Sequence, residues 1–251
     1  MPGTTITADN LVDRLFKSKG GLTLPYRLYV PLDYVQSKRY PLLLMLHGSG
    51  EKGTDNRKQL VNGVLAFCEP ELQRKQSAFV VYPQCPDNAR WVEAPWAEGR
   101  YDLTQVPISG PLSAALELLS AMEQEFTIDP GRLLVGGLSM GGYGTWDAIL
   151  RYPDRFAGAL PICGGGDPAQ AAAAKRVPVW AFHGADDEVV PVSASRAMVK
   201  ALRRAGGRVR YTEYAGVGHN AWDRTFVDKK ALAWLLGQRR AVRSPSKGGQ
   251  P

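Results

Sequence analysis

The sequence predicts an α/β fold, one domain built around a mostly parallel sheet flanked by helices. Three observations carry that expectation. Short apolar runs of strand character alternate with helix-patterned segments along most of the chain. Two of the runs, PLLLMLH (41–47) and SAFVVYP (77–83), are almost unbroken in apolar residues, as strands covered on both faces of a parallel sheet must be. The 251 residues are 44% hydrophobic, enough for one sizeable core, and neither an internal repeat nor a Pro/Ser linker divides them.

Taken in order, LTLPYRLYVP (22–31) has the partial alternation of an early strand, followed by the runs at 41–47 and 77–83. Residues 84–110 carry Trp91, Trp96 and Tyr101 without core periodicity; a loop of this length is commonly functional, and it is expected to wall an open cleft. Leu112, Ala115, Leu116, Leu119, Met122 and Phe126 form one apolar stripe, which predicts a helix over 112–126. Asp129-Pro130-Gly131 reads as a turn and 132–136 as a strand, and the later part of GLSMGGYGTWDAILRYP reads as a helix ending at Tyr152-Pro153. Strands are expected at 156–162, 177–183 and 208–214, with helices at 194–206 and about 225–236. The connection 163–176, CGGGDPAQAAAAKR, is too short for a cap domain. The catalytic domain is therefore expected over 1–236, with a basic, flexible tail over 237–251.

The formal charge of +7 identifies no anionic partner. Six of the 31 basic residues and none of the 24 acidic ones lie in 229–251, leaving 25 against 24 in the rest of the chain. A nucleic-acid surface needs a concentrated basic face on the folded part, so nucleic acid is not an expected partner. No run approaches the roughly 20 apolar residues that span a bilayer. The opening MPGTTITADNLVDRLF has acidic residues and no continuous apolar stretch, so it does not read as a signal peptide. A cytoplasmic location is the expectation, with a secreted or periplasmic one if a leader precedes residue 1. Cys68, Cys85 and Cys163 are too few and scattered for a disulfide scaffold or a structural zinc site. No cofactor or metal is expected.

The chemistry concentrates at Gly137-Leu138-Ser139-Met140-Gly141, which follows a strand and precedes a helix, the setting of a GxSxG nucleophile elbow. A serine hydroxyl needs a neighbouring base, and the chain order for this elbow is serine, then acid, then histidine. Of the three histidines only His183 and His219 follow Ser139. His183 ends an apolar strand, whereas His219 sits in the glycine-rich loop GVGHNAW and is the better placed base. GADDEVVP offers Asp186, Asp187 and Glu188 as the acid that orients the imidazole. The oxyanion requires two N–H donors: one is expected from Met140, and the other from the turn after 41–47, at Ser49 or Gly48. Trp91, Trp96 and Trp222 are candidates for stacking an aromatic acyl group, and Glu51 for contacting a polar leaving group.

The segments LLLMLHGSGEKGTDN, DPGRLLVGGLSMGGYGTWDAILRYPDRFAGALPICGGGDP, PVWAFHGADDEVVPVSASRAMVKAL and YTEYAGVGHNAW together resemble the α/β-hydrolase superfamily over about residues 20–236. Within it, the likeness is to compact esterases related to polyhydroxyalkanoate depolymerases and feruloyl esterases, and to the dienelactone-hydrolase-like predicted peptidases. The resemblance implies an eight-stranded sheet, Ser139 as nucleophile and His219 as base. Its pattern of HG, two variable residues and Asp falls on His183, Gly184 and Asp187, which makes Asp187 the acid. It places the oxyanion amides at Met140 and Ser49 and leaves His47 and His183 to shape loops. The implied activity is hydrolysis of small or aromatic carboxylic esters, hydroxycinnamoyl esters among them, through an acyl-enzyme. A serine peptidase, or a hydrolase of polyesters or short-chain lipids, would use the same triad. A catalytically silent binding protein is a separate class, against which the complete Ser–Asp–His order stands.

Overall fold

The computed structural model describes residues 6–240. Eight strands run in chain order as β1 (Val12–Lys17), β2 (Thr23–Tyr29), β3 (Tyr40–Leu46), β4 (Phe79–Pro83), β5 (Ile128–Leu138), β6 (Gly158–Ile162), β7 (Val179–Gly184) and β8 (Val209–Tyr214). They form one sheet in the order β1-β2-β4-β3-β5-β6-β7-β8. β1 and β2, and β2 and β4, pair antiparallel; every other neighbouring pair is parallel. The helices are α1 (Pro70–Lys75), α2 (Gly110–Glu125), α3 (Met140–Arg151), α4 (Ser193–Arg204), α5 (Ala221–Val227) and α6 (Lys229–Leu236).

The unbroken apolar runs are explained by what lies on either face. In β3, Leu42, Leu44 and Leu46 join a core shared with α2, α3 and α4, while Leu43 and Met45 join a second core shared with α5 and α6. Both faces are dry, so the strand has no polar side to present, and each buried leucine contributes on the order of 2 kcal/mol. α2 begins where Ser109 accepts the Leu112 amide and Pro111 sits in the first turn. No separate cap domain is present among the described residues; 168–174 forms a short 3-10 helix capped by Asp167.

Four expectations need correction. β1 was not anticipated: VDRLFK lacks clean alternation, and it is an edge strand whose order comes from its antiparallel register with β2. Asp129-Pro130-Gly131 does not separate elements but lies inside β5. Asp129 accepts the Gly131 amide as a turn would, and the pairing with β3 is irregular there. The helix expected over 225–236 is two helices, because the Asp228 carboxylate accepts the Lys230 and Ala231 amides and starts a new one. The tail expected to be free from 237 begins with residues that are tied down. Arg239 pairs with Asp129 at 2.9 Å, and the Arg240 amide donates to the Gly131 carbonyl. The rest of that tail, 241–251, lies outside the described residues.

Candidate active site

Every candidate catalytic residue lies at the carboxyl end of a parallel strand: Ser139 after β5, Asp187 after β7, His219 after β8, and the HGSG turn after β3. Ligands of open α/β sheets bind outside this edge. Ser139 occupies a sharp turn with φ +53° and ψ −116°, a strained backbone for any residue with a Cβ. Its amide donates to the Ile162 carbonyl at 2.8 Å, which holds the turn against β6. Gly137 and Gly141 make the turn possible: a methyl group on Gly137 would strike the Gly141 carbonyl, and one on Gly141 the Leu46 carbonyl, both of them backbone.

Ser139 Oγ lies 2.8 Å from His219 Nε2, and His219 Nδ1 lies 2.8 Å from Asp187 Oδ2. Because Nδ1 faces a carboxylate it carries the ring proton, which leaves Nε2 bare to accept from the serine hydroxyl. Asp187 Oδ1 accepts the amides of Val189 and Val190, each at 2.9 Å. Burial by itself would raise the Asp187 pKa, but hydrogen bonds from His183, His219 and Val190 outweigh it and hold the carboxyl well below the usual carboxylate range. Asp186 and Glu188 are exposed, so of the three acids in GADDEVVP only Asp187 faces the imidazole. The His219 side chain is 20% exposed, which leaves the ring reachable from solvent.

The HGSG turn approaches the nucleophile from β3; a methyl on Gly48 would come 3.6 Å from Ser139 Cβ. The Gly48 amide is already engaged, donating to Glu51 Oε2 at 2.7 Å. Ser49 opens the 3-10 turn 49–51 and Met140 opens α3, and the first amides of a helix have no acceptor within it. His47, buried behind the turn, donates from Nδ1 to the Gly48 carbonyl at 2.6 Å and accepts the Cys85 amide on Nε2 at 2.9 Å. Both bonds require a neutral ring, and burial pushes its pKa down to about 4. Glu51, expected to meet a leaving group, braces this turn with one oxygen: Oε2 accepts the Gly48 amide, and burial raises its pKa.

The long loop 84–110 is fastened rather than free. Tyr101 donates to the buried Asp147 carboxylate at 2.7 Å, Tyr143 donates to the Trp96 carbonyl, and the Leu103 amide donates to Asp167. Trp91 is a correction to the expected substrate contacts. It is fully buried, with Nε1 donating to the His47 carbonyl at 3.0 Å and its ring edge-on to the His47 imidazole. It supports the HGSG turn from below and offers a substrate no surface. Trp96 is half-buried under the Arg90 guanidinium, 4.7 Å away, with no described contact to the triad. Trp222 does stand at the centre, its half-buried ring edge-on to His219 with centroids 5.2 Å apart.

The sequence reading missed how close His183 and Cys163 come to the acid. His183 Nε2 lies 3.1 Å from Asp187 Oδ2, and the Cys163 thiol donates to the His219 carbonyl. The available signal was spacing: His183 ends β7 four residues before Asp187. Cys163, His183 and Asp187 bring ligand-type atoms within 4.8 Å of one another. Both His183 nitrogens and both Asp187 oxygens already hold protein partners, and burial pushes the Cys163 thiol up to about 12. That donor set is hydrogen-bonded packing, not a metal centre.

Comparison with known proteins agrees with this geometry. The Phospholipase/Carboxylesterase family profile matches residues 112–232, which hold all three triad residues. A probable carboxylesterase of rice (Oryza sativa subsp. japonica) is 28% identical over 231 residues, covering 82% of this chain and 93% of that protein. The crystal structure of a thermostable esterase superposes with a TM-score of 0.86 at 40% identity, over 93% of this chain; the match spans 64% of that longer chain. A ferulic acid esterase shares the fold, with a TM-score of 0.65 at 18% identity over 90% of this chain and 97% of that one. The nucleophile elbow, the ordered Ser139–His219–Asp187 chain and these likenesses converge: the chain belongs to the α/β-hydrolase superfamily, as a serine hydrolase of the carboxylesterase type.

Proposed function

We propose that this chain hydrolyses small carboxylic esters, including esters of aromatic acids, through an acyl-enzyme. The observation that carries the ester chemistry is the hydrogen-bonded chain from Ser139 Oγ through His219 to Asp187, each link 2.8 Å. In this reading His219 Nε2 takes the hydroxyl proton as Ser139 attacks the carbonyl carbon. The amides of Ser49 and Met140 receive the negative oxygen, a contribution worth about 3–4 kcal/mol per donor in comparable sites. Protonated His219 then gives its proton to the leaving alcohol. Water repeats the sequence on the acyl-enzyme and frees the acid. Asp187 stays ionised throughout and holds the imidazole in register.

The preference for an aromatic acyl group rests on Trp222, whose partly exposed ring borders His219; among the described residues no separate cap domain stands above the strand ends to cover it. The test is a panel of p-nitrophenyl acetate, p-nitrophenyl butyrate, methyl ferulate and a short polyhydroxyalkanoate, with an unblocked peptide library beside it. Turnover of the esters that disappears in Ser139→Ala supports the mechanism; retained turnover in that variant removes Ser139 from it. Trp222→Ala should lower kcat/KM for methyl ferulate more than for the butyrate ester. Equal losses, or activity on the alkyl esters alone, would reject the aromatic preference.

A further inference from the structure

The triad's acid is served by two imidazoles, and only one of them belongs to the triad. His183 is fully buried at the end of β7, 3.1 Å from Asp187 Oδ2 by way of Nε2, on the same oxygen that accepts His219 Nδ1. The hydrogen bond of that nitrogen runs to the Val190 carbonyl at 3.0 Å, with the Asp187 oxygen beside it. Both neighbours are acceptors, so the proton of a neutral His183 ring belongs on Nε2. Nδ1 is then bare and needs a donor. The one it meets is the hydroxyl of the fully buried Ser195 on α4, at 2.7 Å. That hydroxyl has one proton and a second acceptor, the Gly164 carbonyl, at the longer distance of 3.0 Å.

We propose that His183 is a positioning residue for the acid: Ser195 fixes the ring as the Nε2–H tautomer, and that N–H holds the Val190 carbonyl, so that the Val190 amide keeps Asp187 in line with His219. Val190 donates its amide to Asp187 Oδ1 while its carbonyl accepts from His183 Nε2, so ring, loop and carboxylate form one hydrogen-bonded relay. The Val189 and Val190 amides hold Oδ1, and the His183 ring packs 3.1 Å from Oδ2 while it fastens the Val190 peptide. Without His183 that peptide would lose its anchor, and the carboxylate it holds could swing about its Cβ bond as the imidazole moves during turnover. This role rests on the serine-hydrolase reading of the same site, since it acts through Asp187 and His219 and touches no substrate.

The direct test is ring ¹⁵N and ¹H spectroscopy of the full chain near neutral pH, where the three histidines are resolved by substitution. The expected result is a protonated Nε2 and a bare Nδ1 on His183; an Nδ1–H tautomer or a doubly protonated ring overturns the proposal without any variant having to fold. Activity supplies the second arm. His183→Leu should lower kcat on the order of 10-fold, the rate equivalent of one hydrogen bond, with KM little changed. His183→Gln places an amide nitrogen near the lost Nε2 and should recover most of kcat. A folded His183→Leu with undiminished kcat, or equal losses in folded Leu and Gln variants, would also overturn it. If the wild type turns over no ester, the functional reading fails by itself, and the rate of Ser139 labelling by a fluorophosphonate then replaces kcat in the comparison.

Discussion

Glu51 Oε2 accepts the Gly48 amide at 2.7 Å, which takes that N–H out of the HGSG turn's free donors. The next amide along the chain is that of Ser49, the donor proposed for an oxyanion. Glu51→Ala releases Gly48 and lets the turn relax, so kcat should fall about tenfold with little change in KM, a fraction of the loss expected for deleting a whole oxyanion donor. Glu51→Gln keeps an acceptor of the same length and should stay near wild type. Steady-state kinetics on p-nitrophenyl butyrate separates the two; equal behaviour of the variants would mean that the carboxylate does not set the turn.

Asp187 and Asp186 are adjacent in sequence and opposite in environment, one buried against two imidazoles and the other exposed. Asp187→Asn presents an amide where His219 needs an acceptor and favours the wrong ring tautomer. It should lower kcat by about 10³–10⁴ while leaving the fold intact. Asp186→Asn should stay within about twofold of wild type, as expected of an exposed carboxylate outside the hydrogen-bonded chain. Circular dichroism alongside the kinetics distinguishes lost chemistry from lost structure.

His47 makes stability depend on pH. In the unfolded chain it takes up a proton near its ordinary value of 6.5, and in the fold only at about 4. Between those values the unfolded state binds more protons, so stability falls as pH falls. The contribution is complete above about 6.5, and the loss totals about 3 kcal/mol once pH reaches 4. Urea unfolding at pH 7, 5.5 and 4.5 should show a shallower decline in His47→Gln than in wild type. A difference between the two that stays constant with pH would rule out this residue as the source.

Trp91→Phe removes the bond from the indole to the His47 carbonyl, along with part of a fully buried ring. A loss of about 1–3 kcal/mol in stability is expected, with the ratio of activities on aromatic and alkyl esters unchanged. A change in that ratio without destabilisation would return Trp91 to the substrate surface.

The inner parallel strands were legible because they are largely dry on both faces: β3, β4, β6 and β7 announce themselves as apolar runs such as PLLLML and VPVWAFH. The edge strand β1 was not, since its order comes from pairing with β2 and its own side chains are half in water. The triad could be read from chain order because each residue lies just beyond a strand, where the backbone places it regardless of distant packing. Trp91 could not be placed that way. Nothing in residues 84–110 says that its ring turns inward beneath His47, a direction decided by a partner in another segment, the His47 carbonyl that accepts the indole N–H. The same holds for His183 and Glu51, whose partners are read from hydrogen-bond geometry and not from motif.

The backbone of Ser139 sits at φ +53°, in a region where a Cβ is unwelcome. Glycine would adopt that conformation freely, yet a glycine there has no nucleophile. Ser139→Gly should therefore be more stable than Ser139→Ala by about 1 kcal/mol, less whatever the freer unfolded chain takes back, with both variants inactive. The sequence that folds best at this position is one that does nothing, and the reactive hydroxyl persists at the expense of thermal tolerance. Any attempt to harden this protein by relaxing this strained position would begin by erasing its purpose.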